Sequence, residues 1–188
     1  MKRARRLPRA FVSGTEPIAA RKKWRAILLS TLLLAVADWS IVAGLVSMTA
    51  DGGPRAGPFI AFGLALIPFV FLILAFASEH PRAPAAVLKA MGLTLLVGIP
   101  VSALAADAAT GLVAAVGAGG IVALRSDLHH HGKARALAVL AATAWVFVTL
   151  RIVPEAALLL APILPFTSIG VADHLCERRA EIRSANAA

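Results

Sequence analysis

Apolar runs of near-membrane length alternate along this chain with short breaks that carry charge or turn residues. The runs extend from Ala26 to Ala50, Pro58 to Ser78, Ala85 to Ala105, Ala108 to Leu124, Ala134 to Val153 and Ala156 to Ala172. The breaks are Asp51-Gly-Gly-Pro-Arg, Glu79-His-Pro-Arg, Asp107, the stretch from Arg125 to Arg135, and Pro154-Glu155. Stretches of about 17 to 25 apolar residues cross roughly 30 Å of hydrocarbon at ~1.5 Å per residue. The pattern therefore predicts six transmembrane helices, and connections this short make successive helices antiparallel neighbours. The expected fold is all-α: a polytopic membrane bundle over residues 26–174, a basic N-terminal tail over 1–25 and a short polar C-terminal tail over 175–188.

Composition agrees with this pattern. Of 188 residues, 59% are hydrophobic, against roughly 45 to 50% in soluble domains. The fourth run is the shortest and is rich in Ala and Gly rather than Leu, so its crossing is decided by charge. With both termini cytoplasmic, 17 of the 19 Lys and Arg residues lie inside and only Arg55 and Arg151 lie outside. Omitting the fourth crossing would put either Arg125 to Arg135 or the basic C-terminal residues on the wrong side. The first run is too long for a secretory h-region and lacks a good cleavage site at Ala50, so it is expected to remain as an uncleaved helix.

The net charge of +9 comes without a nucleic-acid motif, and the membrane surface accounts for it better. Arg21, Lys22, Lys23 and Arg25, beside Trp24, are expected to anchor the tail on anionic lipids. The lipid bilayer is thus the expected partner, with a membrane-protein partner or homo-oligomer alongside it and no nucleic acid. Abundant Ala, Arg, Gly and Val, a lack of Tyr and a single Asn fit a GC-rich bacterial genome and hence a bacterial plasma membrane. Cys176 is the one cysteine, which excludes an internal disulfide.

Within the membrane, chemistry concentrates on Asp38. It lies midway along the first run, where a carboxyl is costly and marks a functional or structural site. Its insertion penalty of about 2.5 to 3.5 kcal/mol is offset by roughly 3 to 7 kcal/mol from the Leu, Ile and Val residues around it. No Lys or Arg occurs at that depth, so the expected partners are hydroxyls, carbonyls freed by proline, or water. Thr143, Thr167 and Ser168 fall in the same layer. The face of the first helix that holds Thr31, Ala35, Asp38, Val42, Leu45 and Thr49 is expected to point into the bundle.

Gly117, Gly119 and Gly120 give the fourth helix a surface without side chains, where a neighbour can approach closely. Pro68, Pro100, Pro162 and Pro165 each remove a backbone donor and are expected to kink their helices. His129-His130-His131 resembles a metal cluster, but three consecutive imidazoles cannot all face one ion in a short helix, and a solvated loop is expected instead. Glu79, His80, Asp127, His129, Asp173 and His174 are the candidates for an enzyme site, and along the sequence they are scattered. No cofactor or catalytic motif is present, which argues against an enzyme. The expectation is a structural or accessory component of a membrane complex, with a proton- or cation-coupled transporter using Asp38 as the alternative.

Overall fold

A computed structural model describes residues 18–50, 56–128 and 131–186. Among these described residues there are seven helices: α1 (Ala20–Ala50), α2 (Ala56–Ala77), α3 (Ala83–Ala105), α4 (Ala108–Ala123), α5 (His131–Ile152), α6 (Pro154–Leu160) and α7 (Leu164–Ala185). Four of them, α1, α2, α3 and α5, are long and apolar enough to cross a membrane. A fifth crossing exists if α6 and α7, bent by 60° at their junction, are taken as one broken span. By length and composition, then, four or five of the six expected spans qualify. The exception is α4, whose 16 residues extend only ~24 Å at 1.5 Å per residue, short of the ~30 Å of hydrocarbon.

What α4 lacks in length it gains in enclosure. Asp107 caps its start, its carboxylate accepting from the backbone N–H of Ala109 at 3.0 Å and of Thr110 at 2.7 Å. Such a cap satisfies amides that the helix itself leaves unpaired. A left-handed Ala106, with φ of 51°, turns the chain from α3 straight into that cap. Each glycine on α4 then meets a different neighbour. A Cβ added at Gly111 would collide with Ser102 of α3, one at Gly117 would lie 2.5 Å from Val139 of α5, and one at Gly119 2.6 Å from Phe71 of α2. At Gly120 it would lie 2.8 Å from Phe166 of α7. The rings of Phe71 and Phe166 meet edge to face at 6.4 Å beside this surface.

Around α4, the α1–α2 hairpin closes on small residues in the same manner. A Cβ at Gly63 would come within 2.5 Å of the Ala37 carbonyl oxygen, and one at Gly44 within 2.6 Å of Ile60. Pro68 and Pro100 sit inside continuous α2 and α3. Pro162 and Pro165 do more than kink their span: Pro162 lies in the break between α6 and α7, and Pro165 in the first turn of α7. Proline suits a first turn, where its missing N–H has no intrahelical partner anyway.

Both expected tails are shorter than drawn from sequence. Residues 1–17 lie outside the described residues, but α1 already begins at Ala20. At the other end α7 continues through Ala185, so residues 175–185 form a helix that prolongs the last span. Their charged side chains do not end the helix, because Glu, Arg and Ala are good helix formers.

Replacing Gly117 with Leu is expected to force α4 and α5 apart. The cost should be about 1 to 3 kcal/mol, read as a lowered melting temperature of the purified protein. Leu at Gly57, where an added Cβ meets nothing within 4 Å, should leave the melting temperature near that of the parent.

Candidate functional site

Five segments end together at one end of the bundle: the start of α1, the α2–α3 connection, the α4–α5 loop, the start of α5 and the C-terminal half of α7. Helix starts and ends carry unpaired N–H and C=O groups, so a junction of this kind needs polar side chains to complete it. Lys23, Arg125, Asp127, His131, Arg135 and Asp173 supply them, all buried. Arg135, at 2% exposure, is the largest of the fully buried side chains.

Arg135 holds the centre. Its Nε and Nη2 donate to the two oxygens of Asp173 at 2.8 and 2.6 Å, a bidentate pair linking α5 to α7. Nη1 donates to the carbonyls of Ile121 and Leu124 at 2.8 and 2.7 Å, and Nη2 also donates to that of Arg125 at 2.8 Å. A guanidinium has five N–H donors, and all five are engaged. Three of the acceptors lie at or just beyond the end of α4, so Arg135 serves as the C-terminal cap that α4 does not carry itself.

Lys23 is the second cation. Its ammonium lies 2.6 Å from Glu177, 3.2 Å from Asp127 and 3.6 Å from Asp173. Arg125 is the third, with Nε on Asp127 at 3.0 Å and Nη1 on the Glu79 carbonyl at 3.3 Å. Three cations thus face three carboxylates, Asp127, Asp173 and Glu177. A buried net charge would be expensive, and this balance avoids one. Ser78 extends the network: its hydroxyl accepts from the Arg125 amide at 3.2 Å and donates to Ala75 at 3.3 Å.

His131, 2% exposed, opens α5 and is not part of a solvated loop. His129 and His130 lie outside the described residues. The His131 Nδ1 lies 3.1 Å from Ser126 Oγ and 3.3 Å from Asp173 Oδ1. Because the Ser126 hydroxyl donates to the Leu128 carbonyl at 2.9 Å, its oxygen is left to accept, which assigns the proton of a neutral ring to Nδ1. Ser126 and Asp173 therefore share one ring nitrogen. A nucleophile relay needs them on opposite nitrogens, so Ser, His and Asp here form a structural knot and not a triad. The Nε2 atom is buried without a partner. No group of three or more His, Cys, Asp or Glu among the described residues could hold a metal ion.

The acid and histidine candidates are thus less scattered than their sequence positions imply. Asp127 and Asp173 converge through Lys23 and Arg135. Glu79 instead sits at the surface, its carboxylate 2.7 Å from Lys22 with both side chains more than half exposed. The Lys22 ammonium holds that carboxyl below its ordinary range, although an exposed pair of this kind adds little stability. His80 accepts the Arg82 amide on Nδ1 at 3.1 Å. Burial, with Arg135 and Arg125 nearby, lowers its pKa and keeps it neutral. His174 is only partly exposed and makes no contact within the ion network. Lys23, expected at the lipid surface, is instead the residue that ties α1 to the network. A sequence signal existed: Lys23 precedes Ile27, Ser30, Leu34, Ala37, Ile41 and Gly44 at steps of three and four, the stripe that α1 turns toward its neighbours.

At mid-depth the expected polar layer does not assemble. Thr143 Oγ1 donates to Val139 at 2.8 Å, Thr167 Oγ1 to Ile163 at 2.7 Å and Ser168 Oγ to Pro165 at 3.0 Å, all within their own helices. Asp38 bonds to none of them, and its Oδ2 is buried without a partner. Thr31, Ala35, Asp38 and Val42 are partly exposed, and Leu45 and Thr49 are exposed. The Asp38 face therefore lies on the shoulder of α1 rather than inside the bundle. The buried stripe of α1, centred on Ser30, Leu34 and Ala37, is rotated away from it. A cavity of about 590 Å³ forms an open and mainly apolar groove between α3 and α4, lined in part by Leu95, Gly98, Ser102 and Gly111.

Comparison with protein-family models, with curated proteins and with solved structures finds no match to this chain.

Replacing Arg135 with Met should destabilise the protein by about 3 to 5 kcal/mol, the usual cost of stranding one partner of a buried pair. Arg135→Lys should restore little, because a point charge cannot serve five directed acceptors. The double variant Arg135→Met, Asp173→Leu should cost less than the sum of its parts. A double-mutant cycle on thermal melts measures this, and strict additivity would remove Arg135 from its central role.

Proposed function

We propose that this chain is a multi-pass bacterial plasma-membrane protein that crosses six times with both termini cytoplasmic. In this reading it serves as a structural or accessory component of a membrane complex. The convergence of α1, α5 and α7 with both even-numbered connections on a single ion network carries the proposal. It supports an even number of crossings, with α4 making a short passage inside the protein and the bent α6–α7 pair making the last. The same end bears most of the basic residues, as the inside face of a membrane protein does. The network's charged groups are engaged in holding helices together, which favours a scaffold over a catalyst. The open groove between α3 and α4 and the exposed Leu88, Leu95, Leu96 and Ile99 of α3 offer apolar surface to lipid or to a partner helix.

One observation favours a second reading. Asp38 keeps a buried oxygen without a partner, as a carboxyl that binds and releases a proton or cation would. A transporter would use it alternately from the two sides of the membrane.

Topology is tested with the native thiol. In intact cells a membrane-impermeant maleimide should leave Cys176 unlabelled and should label a cysteine placed at Gly53 in a Cys176→Ser background. Labelling of Cys176 without permeabilisation would overturn the orientation. For function, the accessory reading expects the full-length protein to leave native membranes with a stoichiometric partner, and proteoliposomes of the pure protein to show no proton uptake. Proton uptake that Asp38→Asn abolishes without loss of folding would establish the transporter reading instead.

A further inference from the structure

The shoulder of α1 carries a seven-residue repeat that the rest of the bundle leaves partly or fully exposed. Leu28, Ala35, Val42 and Thr49 recur at this interval, and the pairs Thr31/Leu32, Asp38/Trp39 and Leu45/Val46 fall between them. Every one of these positions is partly or fully exposed, with Leu32 at 65%, Trp39 at 57% and Val46 at 57%. A repeat of seven keeps one stripe of a helix facing a single partner helix over its whole length. Stripes buried within the bundle lie elsewhere on α1, through Ala26, Ile27, Ser30, Leu34 and Ala37.

At the middle of this seam sit two complementary unpaired groups. Asp38 has no hydrogen-bond partner: its Oδ2 is shut in by the chain, while Oδ1 stays on the partly exposed side of the residue, and Trp39 carries an indole N–H that makes no hydrogen bond among the described residues. An indole is a donor only and an ionised carboxylate an acceptor only. Neither is at ease in hydrocarbon, and tryptophan ordinarily lies at the membrane–water boundary. The two side chains are successive on one helix, so they point about 100° apart. Each is better placed to meet a neighbouring helix than to meet the other.

We propose that two copies of this chain pair in the membrane through α1, with Trp39 of each copy donating to Asp38 of the other. Both copies insert the same way round, so the pair is parallel and its two-fold axis runs along the membrane normal. Asp38 and Trp39 then lie at equal depth across the seam, and each bond occurs twice. Ala35, one turn away, is small enough to let the helices approach. The second copy is the occupant that the chemistry selects, because this one helix carries both the missing donor and the missing acceptor. The proposal rests on α1 lying in a bilayer and specifies the homo-oligomeric side of the accessory reading.

Single cysteines in a full-length Cys176→Ser protein test the pairing in native membranes. Oxidation should link Ala35→Cys and Val42→Cys into dimers and leave Leu96→Cys, on the exposed face of α3, monomeric. Energy transfer between labelled copies in phosphatidylcholine vesicles at graded protein-to-lipid ratios then gives the dimer dissociation constant. Trp39→Phe and Asp38→Leu should each weaken it about three- to tenfold, the worth of an interhelical hydrogen bond in a membrane. Asp38→Asn, which keeps an acceptor, should stay nearer the parent. Equal linking at Leu96→Cys, an Ala35→Cys adduct with a different polypeptide, or dissociation constants unmoved by the first two variants would overturn the proposal. A protein that remains monomeric in membranes defeats the pairing alone, whereas one that does not partition into membranes defeats the membrane reading beneath it.

Discussion

The Arg135–Asp173 pair is the contact on which the bundle's closed end depends. A guanidinium buried among helices is tolerable only when every N–H finds an acceptor, and here two go to a carboxylate and three to backbone carbonyls. Those carbonyls lie where α4 stops, and the carboxylate belongs to α7. One side chain thus ends one helix and fixes two others. Lys23 and Arg125 balance Asp127 and Glu177, so the three cations and three carboxylates offset one another. Replacing such a set with well-packed apolar residues can leave stability unchanged. What directed bonds add is register: Arg135 can reach Asp173 and the end of α4 together in one alignment of α5.

The short helix at the centre makes sense in this light. A helix of 16 residues exposed to lipid would leave its ends unpaired within hydrocarbon, where no water is available to satisfy them. Here Asp107 serves the first turn of α4 and Arg135 the last. Between those caps the glycines admit α2, α3, α5 and α7 on separate sides, and α4 is surrounded by protein instead of spanning lipid on its own.

Sequence was a good guide to the helices and a poor one to their faces. Apolar runs and charged breaks located α2 to α5 to within about three residues, because hydrocarbon sets a minimum length, but they joined α6 to α7 and stopped well short of the end of α7 at Ala185. Which side of α1 turns inward is a different matter. In a soluble helix a polar face marks the outside, but α1 is apolar almost all round, so the Asp38 face carries no such mark and its polar residues suggest the interior. The ion network was hidden for a related reason. Asp127 and Asp173 lie in segments far apart in sequence, and only packing brings them to the same ammonium. Lys23 was legible in principle, since it continues the Ile27, Ser30 and Leu34 stripe, yet a basic residue next to a membrane run reads first as a lipid anchor. Glu177 is hidden because a polar C-terminal segment reads as a tail, while α7 carries it a full turn beyond Asp173.

The distance along the chain between Arg135 and Asp173 also sets an order of events during synthesis. The two residues are 38 positions apart, and ribosomes add about 5 to 20 residues per second. For roughly 2 to 8 seconds at that rate, Arg135 has left the ribosome without its counter-ion, and only carbonyls and water solvate its charge. The α1–α2 and α3–α4 hairpins can form in that interval, but Lys23 gains Glu177 and Arg135 gains Asp173 only when α7 arrives. Helix α7 is therefore the clasp, and a membrane quality-control system that recognises unpaired charge would find it in every chain interrupted before Asp173.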